Sequence, residues 1–271
     1  MSVLRTAVQV DGETASYLTT GQDGPAVLLL HGTYWSRVWL PVLGHLAEVG
    51  LRPIAVDFPG LGHSGGELTL ETATVPALAD WVVRFASVLK LSGPIAVAGH
   101  DIGGAVAQHL LAHDRLAMSR LALVNSVTYD SWPAPHVARL LDAAPTTTAD
   151  EFLAARQQAV TTDLAGAATE QRIADYLEPC TEPRVRRSWL AMAGAAESRY
   201  TLDLVPALRR STTPKLLIWG EDDSFEKLEY AEKFALEIPQ TTLIRIPEAK
   251  HIPTENSPGQ IARALIDFFT A

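Results

Sequence analysis

An α/β fold, a mostly parallel sheet flanked by helices, is what the patterning of this chain predicts, and three observations carry it. Short apolar runs recur at 26–30, 53–56, 94–98, 121–124, 215–219 and 242–246, the pattern of strands buried on both faces. Helical stretches separate most of them, and that alternation builds a parallel sheet with helices on both sides. The alternation then breaks once, from 129 to 211, where no strand-like run occurs.

Length and composition bound the rest. With 271 residues, 47% hydrophobic and 20% charged, the chain has material for one large α/β domain with an inserted subdomain. A net charge of -9 argues against nucleic acid or an anionic membrane as partner. Cys180 is the only cysteine, so no internal disulfide can form, which fits a reducing cytoplasm. The first residues lack the apolar core of a signal peptide, and no run reaches the ~20 apolar residues that span a bilayer. The expectation is a cytoplasmic protein, monomer or homodimer, acting on a small apolar organic molecule.

The elements follow in order. Residues 6–10 and 14–18 read as strands joined at Asp11-Gly12, a strong hairpin signal. The run at 26–30 ends at His31-Gly32. A helix over 39–49 stops at Gly50. The strand at 53–56 leads into the turn Asp57-Phe58-Pro59-Gly60. Leu78, Val82, Phe85 and Leu89 share one helical face. Within 129–211, Thr148 and Glu151 form a capping box, and helices are expected over 170–177 and 185–196. The cluster from Arg184 to Arg187 reads as a solvated helix face. Residues 215–219 end at Gly220-Glu221-Asp222-Asp223, a helix covers 225–236, and the last strand leads to His251. Ser257 and Gln260 read as a second capping box, with Pro258 at the first helical position. The core domain is therefore expected over 1–128 and 212–271, and a helical cap over 129–211, inserted after the sixth strand.

The chemistry centres on Gly99-His100-Asp101-Ile102-Gly103, between the run at 94–98 and a helix over 104–113. A residue on such a strand-to-helix corner projects its side chain outward, and flanking glycines let the backbone pass. The bland reading of Asp101 is a helix N-cap or a solvated loop acid. The functional one is a nucleophile: a carboxylate is ionised at neutral pH and attacks without a base. It suits displacement at an sp3 carbon, an epoxide or a carbon–halogen bond, because attack on an ester or amide gives an anhydride that reverts. Asp101, the Asp222-Asp223 pair and His251 all follow strand ends, where parallel sheets bind ligands.

Nucleophile, acid, then His is the α/β-hydrolase order. Over nearly its whole length the chain resembles α/β-hydrolase-fold enzymes. The residues that carry this are His31-Gly32, Asp57 to Ser64, the corner at Asp101 and Lys250-His251-Ile252-Pro253-Thr254. An Asp at that corner resembles the branch of epoxide hydrolases and haloalkane dehalogenases. The resemblance implies Asp101 as nucleophile, His251 as base for the water that hydrolyses the ester, and Asp223, three residues after Gly220, as its orienting acid. It implies backbone donors at Thr33 and Ile102 for the oxyanion, and neither cofactor nor metal.

Three departures matter. Ile102 stands where the dehalogenases resembling this chain usually place the Trp that holds the halide. Thr33 replaces their Asn, and Tyr34 replaces a usual Pro. Epoxide opening needs an acid, commonly a cap tyrosine, and Tyr176 and Tyr200 lie in the insertion with Tyr129 at its entry. Tyr34 and Trp35 flank the oxyanion turn and are candidate pocket residues. The sequence thus favours an epoxide hydrolase. The alternatives are a dehalogenase holding halide through Trp35 or Trp132, and a non-hydrolytic biosynthetic or ligand-binding member.

Overall fold

The structure is a computed structural model that describes residues 2–134, 137 and 148–271. Eight strands form one sheet: β1 Leu4–Val10, β2 Glu13–Thr19, β3 Ala26–Leu30, β4 Arg52–Val56, β5 Ile95–Asp101, β6 Met118–Ser126, β7 Lys215–Gly220 and β8 Thr241–Ile246. Their order across the sheet is β1-β2-β4-β3-β5-β6-β7-β8. The β1–β2 and β2–β4 pairs are antiparallel and every other pair is parallel. This is the α/β-hydrolase fold that the sequence predicts.

Both faces of the sheet are covered, which is why its central strands read as unbroken apolar runs. Along β3, Leu28 and Leu30 face one core and Val27 and Leu29 the other. Helices α2 (Val75–Val88) and α3 (Ile102–Ala112) pack on the first face, while α1 (Leu40–Glu48) and the C-terminal helix pack on the second. Asp11 and Gly12 both have positive φ, 54° and 85°, as the tight β1–β2 hairpin requires.

The described elements between β6 and β7 are all helical: α4 Ala149–Leu164, α5 Glu170–Leu177, α6 Pro183–Gly194, α7 Arg199–Leu202 and α8 Val205–Arg210, with short single turns between them. Of the expected cap, 135, 136 and 138–147 lie outside the described residues. The Thr148–Glu151 capping box is formed in full. The arginine cluster lies on a partly solvated face, with Arg187 exposed and Arg184 and Arg186 half-buried, and it also ties α6 to the core. Arg184 donates to the Ser64 carbonyl at 2.6 Å, and Arg187 pairs with both oxygens of Glu67.

Beyond β7 come α9 (Leu228–Glu237), a one-turn helix α10 (Pro253–Asn256) and α11 (Pro258–Thr270). The second capping box does not form. Ser257 follows directly on α10, its N–H is taken by the Pro253 carbonyl at 2.8 Å, and its hydroxyl makes no capping bond. Asn256 does the local polar work instead. Its amide accepts from Lys250 N at 2.8 Å and donates to the carbonyls of Asp163 and Leu164 at 3.0 Å each. No described helix is long and apolar enough to cross a membrane.

Candidate active site

β5 runs three residues further than its apolar stretch, because His100 and Asp101 continue the pairing with β6. Asp101 then turns the chain with φ 54° and ψ -127°, a backbone region that costs a non-glycine residue on the order of 1–3 kcal/mol. The β5–α3 packing holds it there. Gly99 lets the start of α3 fold back on the strand, since a Cβ at that position would meet the backbone of Gly103 and Gly104. Gly32 is needed for a different reason. A Cβ there would fall on the Asp101 carboxylate, so only glycine lets the β3 turn come this close to Asp101.

Thr33 follows that glycine and holds Asp101 twice: its N–H donates to Oδ2 at 2.8 Å and its hydroxyl to the same atom at 2.9 Å. Both hydrogen bonds go to Oδ2. Burial would raise the carboxyl's pKa, but the imidazoles of His251 and His100 and the Thr33 N–H outweigh it and hold Asp101 well below the usual carboxylate range. Asp101 is an anion at every physiological pH.

His251 lies opposite, with Nε2 3.9 Å from Asp101 Oδ2 and Nδ1 2.9 Å from Asp223 Oδ2. The second bond fixes the ring with Nδ1–H donating to Asp223. Burial disfavours the imidazolium, yet the Asp223 and Asp101 carboxylates raise its pKa well above the ordinary value. Asp223, not Asp222, contacts the imidazole. Its Oδ1 caps the following turn, accepting from Phe225 N at 2.8 Å and Glu226 N at 3.2 Å.

Two residues that the sequence reading missed complete this arrangement. Asn125, at the end of β6, donates to Asp223 Oδ2 at 2.6 Å and accepts from Gly220 N at 2.9 Å, bracing the acid from the neighbouring strand. Its signal was positional, one residue past the apolar run of β6 at the carboxyl edge of the sheet. Glu226 is 1% exposed and faces the cavity beside Asp101. Nothing in its local sequence distinguishes it from other loop acids.

The flanking histidines are structural. His100 Nε2 donates to the His251 carbonyl at 2.7 Å, which requires that nitrogen to carry the proton. Burial and the neighbouring His251 lower its pKa to about 4, so it stays neutral. His31 Nε2 accepts from Phe58 N at 2.9 Å.

A cavity of about 210 Å³ opens above Asp101, walled by Tyr34, Trp132, Phe225 and His251 and roofed by Arg156 and Trp189 of the cap. The Arg156 guanidinium lies over the rings of Tyr34 and Trp189, 4.6 and 4.9 Å from their centroids. The expected proton donors fare differently. Tyr34 lines the cavity, but its hydroxyl is committed to Asp163 at 2.6 Å. Tyr176 is buried behind it, donating to Glu255 at 3.0 Å, and Tyr200 sits on α7 with its hydroxyl 3.4 Å from Glu197. Neither lines the cavity, nor does Trp35, whose indole N–H faces the Tyr176 carbonyl at 3.4 Å. Ile102, 3% exposed, starts α3 directly after Asp101, but both donors on Oδ2 come from Thr33. Among the described residues no group of three or more His, Cys, Asp or Glu is set to hold a metal ion.

This fold and site define a hydrolase of the α/β class, and comparison with known proteins agrees. The chain belongs to the alpha/beta hydrolase family, whose model matches residues 27–264. It is 25% identical over 285 residues to the AB hydrolase superfamily protein YfhM of Bacillus subtilis, covering 96% of each chain. It is also 25% identical to a haloalkane dehalogenase of Mesorhizobium japonicum, covering 96% of this chain and 89% of that enzyme. The crystal structure of an alpha/beta hydrolase fold protein from Burkholderia ambifaria superposes with a TM-score of 0.83 at 26% identity, over 97% of each chain.

Proposed function

We propose that this chain hydrolyses an epoxide in two steps through a covalent ester on Asp101. The observation that carries this reading is the division of labour at the Asp101 carboxylate. Thr33 holds Oδ2 with two donors, so Oδ1 is the oxygen left to attack carbon. Attack forms the Oδ1–C bond and breaks the epoxide C–O bond. Oδ2 is then the carbonyl oxygen of the ester, and the same two donors stabilise the charge it gains when water attacks. Alkylation also removes the Asp101 charge, one of the causes that raise His251, which then sheds its proton and serves as base for that water. Asp223 keeps the ring oriented throughout.

An epoxide is favoured over a halide because the residue after Asp101 is Ile102, whose side chain has no N–H to hold a halide and does not line the cavity. The nearby indole N–H groups of Trp35 and Trp189 face the carbonyls of Tyr176 and Thr33. A second reading, dehalogenation by the same two steps, is supported by the likeness to the M. japonicum enzyme and by Trp132 in the cavity wall.

His251→Gln separates the steps. An ionised carboxylate needs no base to attack, whereas water does, so this variant should alkylate and stall. Intact mass should rise by the whole substrate for an epoxide, or by substrate minus hydrogen halide for a haloalkane, and the adduct should map to the peptide carrying Asp101. A variant that forms no adduct with a substrate the parent turns over would remove the ester from the mechanism.

A further inference from the structure

Opening an epoxide leaves an alkoxide, and the site must supply a proton to it. The hydroxyls of Tyr34, Tyr176 and Tyr200 all face carboxylates, and only Tyr34 lines the cavity. Besides Asp101 the cavity holds two carboxyls, Asp163, whose Oδ2 accepts from the Tyr34 hydroxyl at 2.6 Å, and Glu226. Glu226 is buried in its wall together with Asp101 and His251, and its Oε2 has no hydrogen-bond partner. Its backbone is fixed from two directions: the N–H donates to Asp223 and the carbonyl accepts from the Trp219 indole at 2.7 Å. The turn that carries the orienting acid therefore also delivers a second carboxyl to the reaction cavity.

We propose that Glu226 is the acid of this site, a neutral carboxyl that gives its proton to the oxygen leaving carbon as Asp101 attacks. The inference rests on the reading of Asp101 as nucleophile and deepens it to substrates whose leaving oxygen must be protonated. Burial away from water disfavours the carboxylate form, and the Asp101 and Asp223 anions add to the effect. Together they outweigh the Ser131 hydroxyl beside it and His251, and raise Glu226 to about 8. Tyr230 also faces it, and Arg156 and Asp163 line the cavity from the cap. Asp101 and Glu226, two of the three carboxyls lining this cavity, are thus driven apart, one an anion that attacks and one an acid that donates.

The protons balance. Glu226 passes its proton to the alkoxide, and His251 sheds one to Glu226 once Asp101 has become a neutral ester. In the second step His251 takes a proton from water. That proton restores the imidazolium, and the hydroxide left behind converts the ester to a carboxylate and an alcohol. The sum is epoxide plus water to diol.

The test compares alkylation rates, by intact mass, in His251→Gln with and without Glu226→Gln, using a panel of small terminal and aryl epoxides that includes styrene oxide. General acid catalysis contributes ~10²–10⁴-fold, so the double variant should form adduct at least ~100-fold more slowly. The rate in His251→Gln should also fall as pH rises through the range where Glu226 loses its proton, which lies above about 8 because the lowering effect of His251 is gone, and the slow rate of the double variant should be flat across that range. Equal rates in the two proteins overturn the assignment while leaving the ester on Asp101 intact. So does a slow double variant that keeps the alkaline decline, because Glu226 would then only shape the cavity. Absence of adduct in both removes the nucleophile reading, and Glu226 with it.

Discussion

Thr33 is the residue where local chemistry is most concentrated. Its N–H and hydroxyl both meet Asp101 Oδ2, and its carbonyl accepts from the Trp189 indole at 3.0 Å. Sequence reasoning placed Thr33 in the oxyanion site through its backbone alone. The hydroxyl donor depends on Gly32, which lets the turn close on the Asp101 carboxylate, and no local pattern shows that approach. Thr33→Val keeps the shape and the N–H and deletes the hydroxyl. The ester carbonyl gains more charge during hydrolysis than the carboxylate loses during alkylation, so the second step should suffer more. Loss of one oxyanion donor costs ~10²–10³-fold. In a single turnover, Thr33→Val should therefore accumulate the Asp101 ester where the parent shows little. A uniform slowing with no accumulation would place the hydroxyl outside the second step.

At the scale of elements, the site depends on short pieces the sequence shows poorly. Long apolar runs announce the strands, whereas the one-turn helix α10 has neither length nor periodicity to be seen. Yet α10 supplies Asn256, which joins the loop carrying His251 to the end of α4 in the cap through three hydrogen bonds. A net contribution near 1 kcal/mol per bond, reduced by partial exposure, makes Asn256→Ala destabilising by about 2 kcal/mol. The denaturation midpoint should drop with an unchanged slope, as expected when surface exposed on unfolding is the same. Turnover should drop as well, because Lys250, held by Asn256, precedes His251. Full stability in Asn256→Ala would mean that the cap and the His251 loop are held together by apolar packing alone. The cap tyrosines Tyr176 and Tyr200 lie away from the cavity for a related reason. Helical periodicity says which face is buried, but not which carboxylate a hydroxyl will find there.

For the whole molecule, the fold and the Asp101, Asp223, His251 constellation were legible because both are written as patterns: strand runs in alternation, and chemical groups just past strand ends. Glu226 was not legible, because its character comes from enclosure by parts of the chain far apart in sequence, and that enclosure has a cost carried by the entire fold. The group has an ordinary value of 4.5 and is raised to about 8 in the folded protein. Between those values the native state keeps a proton that the unfolded chain releases, so the native state binds more protons. Stability then falls as pH rises through this window, by at most about 1.4 kcal/mol per unit, and levels off above about 8. Asp101 and His251 contribute pH dependences of their own. Asp101, depressed, adds stability that is lost as pH falls toward its folded value. His251, raised, adds stability that is lost as pH rises through its folded value. Both remain in Glu226→Gln, so to first order they cancel in the difference between that variant and the parent. That difference isolates the buried acid. Glu226→Gln should gain stability relative to the parent as pH rises from about 4.5 to about 8, read as diverging urea midpoints. Parallel midpoints across the window would mean that Glu226 is ionised or hydrated in the native protein. It would then hold no proton to give.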